Sequence, residues 1–265
     1  MSNNGIKNAN RFNGFADLYN DVRPRMPLYP IEIITRYLGR MPRHVVDMGC
    51  GPGISTLVWE GHCDRITGIE PGDDMYAVAK AQENDLVCFI QAYSHDTGLE
   101  PGCADAVVCS QSFHWMEPVS TLAEVNRILS PGGVFAAVDC DWPPVCSWQV
   151  ERAYADLFER VGKAEKELGL ESTFTRWNKN HHLANIQVSG HFRYAREIVF
   201  SNAESCTADR LLGLALSQGG LQAVLRVDPS AVTKELEAYK AALQSFFGDN
   251  TFEVSFCYRM RIGVK

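Results

Sequence analysis

Residues 44–56 read HVVDMGCGPGIST, in which a mostly apolar stretch is followed, after Met48, by a glycine-rich one. The apolar run that ends at Met48 predicts a short buried strand. Gly49, Gly51 and Gly53 follow it, and glycines allow a tight turn and let the backbone approach a ligand closely. The next residues, ISTLVWEG, predict a helix whose first N–H groups lack backbone partners. A strand, a glycine-rich turn and a helix in this order predict a ligand-binding turn.

Beyond this turn the chain alternates between strand-like and helix-like segments. Four more strands are predicted, at residues 65–70, 86–92, 105–110 and 134–139. Helix-like segments such as DDMYAVAKAQ and VSTLAEVNRILS lie between strands, which predicts an α/β fold with a parallel sheet and helices on both faces. After a helical insertion, two further alternating segments, 192–200 and 251–265, bring the predicted sheet to seven strands.

The composition excludes several classes of protein. The formal net charge of −7 works against binding to nucleic acid or to an anionic membrane surface. We expect neither a membrane-spanning helix nor a secretory signal, because no long apolar run is present and the N-terminus is polar. Nine irregularly spaced cysteines without a Cys-x-x-Cys pair predict reduced thiols in a cytoplasmic protein and no metal site.

Two carboxylates flank the glycine-rich turn in the predicted sheet. Asp47 precedes the first glycine by two residues, and Glu70 ends the second strand, where a carboxylate can accept both hydroxyls of a ribose. A dinucleotide fingerprint needs a glycine where Ile54 stands, and Asp47 would repel a pyrophosphate. An ammonium group suits Asp47 better, so these residues predict S-adenosylmethionine, a nucleoside that carries an amino acid. Asp47 can also serve as a structural carboxylate that orders the loop.

Five motifs in chain order carry a resemblance to a known family, and one of them, FIQAYSHDTGL, resembles the third-strand segment beside the adenine. VVDMGCGPGIST resembles the first motif of class I S-adenosylmethionine-dependent methyltransferases, and GIEPGDDM resembles the segment with the ribose-binding acid. DAVVCSQSFHWME resembles the fourth-strand motif and ILSPGGVFAAV the turn into the fifth strand. The resemblance runs from about Phe12 to Val138. It implies a Rossmann-like, doubly wound, mostly parallel seven-stranded sheet with an antiparallel last strand and a helical insertion after strand five.

The resemblance also implies a domain organisation and a set of cofactor-binding residues. We expect a single methyltransferase domain over 1–265, made of an N-terminal helical segment (1–43), a cofactor-binding core (44–139), a helical insertion or cap (140–190) and C-terminal strands and helices (191–265). Met75 occupies the place of the methionine that often lines the adenine pocket in this family. The residues expected to bind the cofactor are Tyr19, Arg23, Asp47, Gly49, Gly51, Gly53, Glu70, Met75, Tyr93, Ser94 and Ser110.

A finer resemblance concerns the substrate. FADLYNDVRPRMP and the pair His114-Trp115 resemble small-molecule methyltransferases akin to the trans-aconitate methyltransferases, in which an N-terminal Tyr and Arg help to close the cofactor site. Tyr19 and Arg23 match those positions. The expected partner is therefore a small-molecule acceptor, with no nucleic acid and no membrane, and the chain is expected to be a monomer or a homodimer.

His114 follows the fourth strand, at the sheet edge where ligands lie in open parallel sheets. It is a candidate general base, and the alternative is a structural histidine beside Trp115. A separate pair, His181 and His182, lies in the polar stretch WNKNHHL and is expected in a solvated loop. The candidate substrate-binding residues are Trp115, Trp142, Trp148, Trp177 and Arg176.

The predicted function is methyl transfer from S-adenosylmethionine to a carboxylate, hydroxyl or amine of a small molecule. Two other classes remain open at this point. One is a nucleotide-binding oxidoreductase that uses NAD, and the other is a non-catalytic protein that keeps the cofactor site. A carboxylate acceptor needs no catalytic base, whereas a hydroxyl or an amine would benefit from one.

Overall fold

The computed structural model describes residues 22–170 and 175–265 of the chain. Its central feature is a seven-stranded sheet with the strand order β3-β2-β1-β4-β5-β7-β6. The strands are β1 (His44–Met48), β2 (Arg65–Ile69), β3 (Val87–Ile90), β4 (Ala104–Ser110), β5 (Leu129–Cys140), β6 (Tyr194–Cys206) and β7 (Phe252–Val264). Strands β1 to β5 are parallel, and β7 runs antiparallel to both of its neighbours, β5 and β6. The predicted fold class is confirmed.

Helices connect and flank these strands. In chain order the described α-helices are α1 (Tyr29–Leu38), α2 (Ile54–Leu57), α3 (Asp73–Lys80), α4 (Pro118–Ile128), α5 (Trp148–Glu167), α6 (His182–Val188), α7 (Ala208–Leu216), α8 (Gly219–Val227) and α9 (Thr233–Phe247). Among the described residues, three short 3-10 helices cover Phe113–Trp115, Lys179–His181 and Pro229–Val232. Within the described ranges, no helix combines the length and the apolar character needed to cross a bilayer.

The core lies on both faces of the sheet. Along β5, Val134, Ala136 and Val138 pack into one apolar cluster, and Phe135 and Ala137 pack into the cluster on the opposite face. All five side chains are buried because successive side chains of a strand point to opposite faces and helices cover both. This double burial explains the near-continuous apolar runs by which the strands could be predicted.

The sheet topology creates a crevice at the carboxyl end of β1. From β1 the chain proceeds outward through β2 to β3, and it then crosses over to β4, on the other side of β1. The connections that leave β1 and β4 therefore diverge, and open α/β sheets bind ligands at such a switch point. The glycine-rich turn lies at this place in the fold.

Strand β5 and helix α8 differ from the prediction. Strand β5 begins at Leu129, so the segment Pro131-Gly132-Gly133, predicted to be a turn, lies within it. Helix α8 was not predicted, because a glycine pair at its start resembles a loop. It forms nonetheless because Leu221 and Val224 are fully buried in the core, and tertiary packing outweighs the weak helix propensity of glycine.

Candidate functional site

The glycine-rich turn is bound to the end of the neighbouring strand. The backbone N–H groups of Gly49 and Cys50 both donate to the carbonyl of Ile69, at 2.7 and 3.1 Å. Gly49 has a φ of +68°, and a Cβ there would lie 2.6 Å from Cε of Met116 and 2.7 Å from Cβ of Ser112. Both the backbone angle and the close approach therefore require glycine at this position.

Glu70 is held by the turn on one side and by its own loop on the other. Its Oε2 accepts the N–H of Gly51 at 3.0 Å, and its Oε1 accepts the N–H of Gly72 at 2.8 Å. Burial raises the pKa of Glu70, and the two N–H donors oppose that shift. Each carboxylate oxygen keeps further acceptor capacity, and Glu70 lines the cavity above the turn. This arrangement suits a ligand that donates two adjacent hydroxyls.

Asp47 lies beneath the turn and is fully buried. Its Oδ2 accepts hydrogen bonds from the hydroxyls of Ser55, at 2.6 Å, and Thr56, at 2.8 Å. Its Oδ1 is buried and has no hydrogen-bond partner among the described residues. Burial raises the pKa of Asp47 to about 6, although the two hydroxyls lower it. The carboxylate thus orders the start of α2. Asp47 does not line the cavity itself, and its Oδ1 remains an acceptor without a partner beneath the turn.

The cavity brings together most of the residues that the sequence assigns to a cofactor. The residues of that set that line it are Arg23, Gly49, Gly51, Glu70, Met75, Tyr93, Ser94 and Ser110. Three of the candidate substrate residues also line it, namely Trp115, Trp142 and Trp177. The carboxylate that follows β2 and the glycine-rich turn that follows β1 thus share one cavity with three indole rings.

Gly53, Trp148 and Arg176 are not among the residues that line the cavity. Gly53, with a φ of +93°, precedes α2, and a Cβ there would lie 3.0 Å from the ring of Phe89. Trp148 is 74% exposed at the start of α5, so it is not placed to bind substrate in this cavity. Arg176 is exposed, and its guanidinium lies 5.6 Å from the ring centre of Trp115. Tyr19 lies outside the described residues.

His114 is buried beside Asp139 instead of facing the cavity. Its Nδ1 lies 3.5 Å from Oδ1 of Asp139, and only 6% of the side chain is exposed. Burial lowers the pKa of His114 to about 3, although Asp139 raises it, so the ring is neutral. Its backbone carbonyl accepts the N–H of Trp177 at 2.9 Å. This placement fits the structural alternative and does not support a general base in contact with substrate.

Asp139 is the centre of a buried charged cluster. Its Oδ1 lies 3.0 Å from Nζ of Lys179, and its Oδ2 accepts from Nη1 of Arg261 at 2.9 Å. His182 lies close by, with Nε2 3.7 Å from Oδ2. His114, Asp139 and His182 place possible metal-ligating atoms within 4.8 Å of one another. Lys179 and Arg261 each pair with one oxygen of the Asp139 carboxylate. We therefore interpret this cluster as a network of charged side chains and not as a metal site.

His182 corrects the expectation of a solvated loop. The side chain is fully buried, and its ring centre lies 4.7 Å from that of Phe113. Burial lowers the pKa of His182 to about 4, although Asp139 raises it. Its neighbour His181 is exposed, as expected.

Sequence reasoning missed Gln111 as a site residue. Gln111 follows β4 directly and lines the cavity between Ser110 and Ser112. Its Oε1 accepts a hydrogen bond from Nζ of Lys179 at 3.2 Å. The signal that could have found it is its position, because Gln111 is a polar residue directly after β4, at the sheet edge where ligands lie in open parallel sheets.

Comparison with known proteins matches the part of the chain that builds this site. Residues 46–137 match the family model of the methyltransferase domain. This segment is therefore similar to a methyltransferase domain. It contains the glycine-rich turn, Glu70 and the strands β2 to β4, and the match supports both the predicted enzyme class and S-adenosylmethionine as its cofactor.

Curated relatives match over a similar part of the chain. A probable S-adenosylmethionine-dependent methyltransferase of Saccharomyces cerevisiae is 31% identical over 124 residues, which are 44% of this chain and 43% of that protein. An uncharacterised methyltransferase of Mycobacterium tuberculosis is 32% identical over 108 residues, which are 40% of this chain and 44% of that protein. The match therefore spans less than half the length of either relative.

The overall fold matches solved structures over nearly the whole chain. The structure of a protein assigned as a type II methyltransferase from Anaeromyxobacter dehalogenans superposes with a TM-score of 0.68 at 21% identity. The superposition covers 91% of this chain and 97% of that one. It shows that the C-terminal strands and helices outside the matched segment also belong to this fold.

Proposed function

We propose that this protein transfers a methyl group from S-adenosylmethionine to a small-molecule acceptor. The observation that carries the proposal is the carboxylate of Glu70, fixed by the N–H groups of Gly51 and Gly72 at the switch point of the sheet. One cavity joins this carboxylate to the wall of Trp115, Trp142 and Trp177, so a donor and an acceptor can meet there.

The described residues fit the two ends of the cofactor. The acceptor oxygens of Glu70 suit the ribose hydroxyls, and the apolar side chain of Met75 suits the adenine. The charge of Asp47, with its unmatched Oδ1, attracts the ammonium group of the amino-acid end from behind the turn. When bound, the cofactor supplies a methyl group on a sulfonium, which is already a strong electrophile. The work of the chain is to bind, orient and exclude water.

The acceptor part of the cavity combines flat apolar surfaces with a cation. Nε of Arg23 donates to Oγ of Ser217 at 3.0 Å, and the guanidinium lies 5.4 Å from the ring centre of Trp142. Indole walls favour a planar or apolar molecule, and Arg23 favours one that carries negative charge. A small molecule, including one like those of the trans-aconitate methyltransferases, fits this environment.

A general base is not part of the proposal. His114 is buried, neutral and turned towards Asp139. A carboxylate acceptor reacts without a base, because it is already deprotonated at neutral pH. A hydroxyl or an amine would have to lose its proton to a group other than His114.

The proposal includes a single domain, present as a monomer or homodimer. The net charge of −7 supports a small molecule rather than nucleic acid or a membrane as its partner. All nine cysteines are free thiols, which supports the reducing cytoplasm as its location.

Calorimetric titration and a transfer assay test the proposal. The protein should bind S-adenosylmethionine and S-adenosylhomocysteine, and it should not bind NAD with comparable affinity. With cofactor that carries a tritiated methyl group, it should label at least one compound in a protein-free metabolite extract. Binding of NAD alone would favour an oxidoreductase. Cofactor binding without any label would favour a non-catalytic protein.

A further inference from the structure

Gln111 has a backbone conformation that side chains other than glycine rarely adopt. Of the non-glycine residues in the described ranges, it alone has a positive φ, of 56°. Such a conformation is strained and persists where the surroundings enforce it. The N–H of Gln111 donates to the carbonyl of Val138 at 2.8 Å, which ties the residue to β5. The fold thus holds Gln111 at the cavity wall at an energetic cost.

The hydrogen bond from Lys179 determines which way the amide of Gln111 points. Nζ of Lys179 lies 3.2 Å from Oε1 of Gln111. An ammonium group only donates hydrogen bonds, so the atom that faces it has to be the oxygen. The amide nitrogen is therefore the other end of the group, and Gln111 lines the cavity. The two N–H donors of that nitrogen are not engaged by Lys179.

Lys179 is itself held in place by an ion pair with Asp139. Its Nζ lies 3.0 Å from Oδ1 of Asp139, whose other oxygen accepts from Arg261 at 2.9 Å. Asp139 is 2% exposed and Lys179 is 19% exposed, so this ion pair is shielded from solvent. Lys179 also begins the short 3-10 helix that follows Trp177. The insertion after β5 thus supplies both an indole of the cavity wall and the cation that orients Gln111.

We propose that Gln111 binds the methyl acceptor through its amide N–H groups and that Lys179 is a positioning residue that sets the orientation of that amide. The proposal rests on the proposed function and narrows its substrate class. The acceptor must carry an oxygen that accepts a hydrogen bond, beside or at the atom that is methylated. An amide cannot remove a proton, so the proposed role of Gln111 is to select and orient the acceptor.

Four variants of Gln111 and Lys179 separate this role from a structural one. Gln111→Glu keeps an oxygen for Lys179 and replaces the N–H donors by a second acceptor. Gln111→Gly removes the amide and relieves the positive φ, so it does not lose stability through the backbone. Lys179→Met removes the cation, and Lys179→Arg restores a donor at the same position. Binding of S-adenosylhomocysteine, measured by calorimetry, reports whether each variant still folds.

The probe is a protein-free metabolite extract with S-adenosylmethionine that carries a tritiated methyl group. We expect both Gln111 variants to bind S-adenosylhomocysteine within about twofold of the wild type and to lose at least about tenfold in the initial rate of labelling at low extract concentration. Lys179→Met should lose a similar factor, mainly by raising the extract concentration needed for half-maximal rate, and Lys179→Arg should recover most of it.

The double variant gives the sharpest test of positioning. If Lys179 acts through Gln111, Lys179→Met should cost almost nothing further in the Gln111→Gly background, whereas independent effects would multiply. Wild-type labelling rates in Gln111→Glu and Gln111→Gly would overturn the inference, and so would multiplying effects in the double variant. Absence of label with the wild-type protein would instead contradict the proposed function itself.

Discussion

The backbone N–H of Gly51 donates to Oε2 of Glu70 at 3.0 Å, so the turn after β1 holds the carboxylate that follows β2. A Cβ on Gly51 would meet no atom within 4 Å, which means that this face of the turn is open. The proposed ribose-binding group is thus oriented before any ligand arrives. Such preorganisation lowers the cost of binding, because the carboxylate does not have to be ordered by the ligand.

Removing the carboxylate of Glu70 should weaken cofactor binding strongly. For Glu70→Ala, loss of charge-assisted hydrogen bonds predicts about 1.5–3 kcal/mol, or roughly a 10- to 150-fold higher Kd for S-adenosylhomocysteine. Titration calorimetry measures this change. Glu100→Ala removes an exposed carboxylate and serves as the control, with an unchanged Kd expected. Equal affinity of the Glu70 variant and the wild type would mean that the cofactor binds elsewhere.

A methyl group on Gly49 should destabilise the protein more than one on a comparable surface glycine. Both Gly49 and Gly61 have a positive φ, of 68° and 78°, but only at Gly49 would a Cβ collide with neighbouring atoms. Gly49→Ala adds an overpacking cost of about 1–3 kcal/mol to the backbone strain that the two variants share. Thermal unfolding should therefore give a clearly lower Tm for Gly49→Ala than for Gly61→Ala. Equal Tm values would contradict the close approach to Met116 and Ser112.

Cofactor affinity should fall as the pH drops through the titration of Asp47. Burial raises the pKa of Asp47 to about 6, so the free protein takes up a proton there below about pH 6. A cationic ammonium favours the deprotonated form, so binding must displace that proton. The affinity for S-adenosylhomocysteine should then decrease by up to about tenfold per pH unit below pH 6. Asp47→Asn should bind more weakly at pH 7.5 and lose this dependence, and a retained dependence would assign it to another group.

The buried histidines should make the fold sensitive to mild acid. Burial lowers the pKa of His114 to about 3 and that of His182 to about 4. The unfolded chain binds protons at these rings near their ordinary pKa of about 6.5, so the unfolded state is favoured as the pH falls from there towards the folded values. Each ring costs up to about 1.4 kcal/mol of unfolding free energy per pH unit.

Urea unfolding at pH 7.5, 5.5 and 4.5 measures this acid sensitivity. A His182→Leu variant should show a shallower decline in unfolding free energy between pH 6.5 and 4.5 than the wild type. His181→Gln changes the exposed neighbour and is the matched control, for which the wild-type slope is expected. A wild-type slope in the His182 variant would show that this ring does not remain neutral in the folded state.

The indole wall should affect the acceptor and leave the cofactor unaffected. Trp177→Ala removes a side chain that lines the cavity, whereas Trp148→Ala removes one that is 74% exposed outside it. We expect Trp177→Ala to raise the KM for the labelled acceptor by about tenfold, through lost apolar contact, with little change in the Kd of S-adenosylhomocysteine. Trp148→Ala should leave both unchanged. A reversed order of the two effects would place the acceptor outside this cavity.

Most of the fold could be predicted because its signals are local. Apolar runs predict the buried strands β1 and β4 from a few residues each, and the glycines at 49, 51 and 53 predict the tight turn in the same way. Parallel strands end at the same edge of a sheet, so the proximity of Glu70 to this turn also followed from the strand order. Helix α8 escaped prediction because only its burial against distant segments compensates for its glycines.

The amino-acid sequence alone was sufficient to predict the parallel core and the glycine-rich turn next to Glu70. Both predictions rest on hydrophobic periodicity and on the placement of glycines, which are visible within short stretches of sequence. The direction of His114 depended on the folded chain, since its Nδ1 lies 3.5 Å from Oδ1 of Asp139 on β5. Asp139 is in turn paired with Arg261 on β7. The same holds for Gln111, whose partner Lys179 is 68 residues away in the chain. Contacts of this kind arise only when separate segments pack together, because burial and charge pairing depend on neighbours that no local pattern encodes.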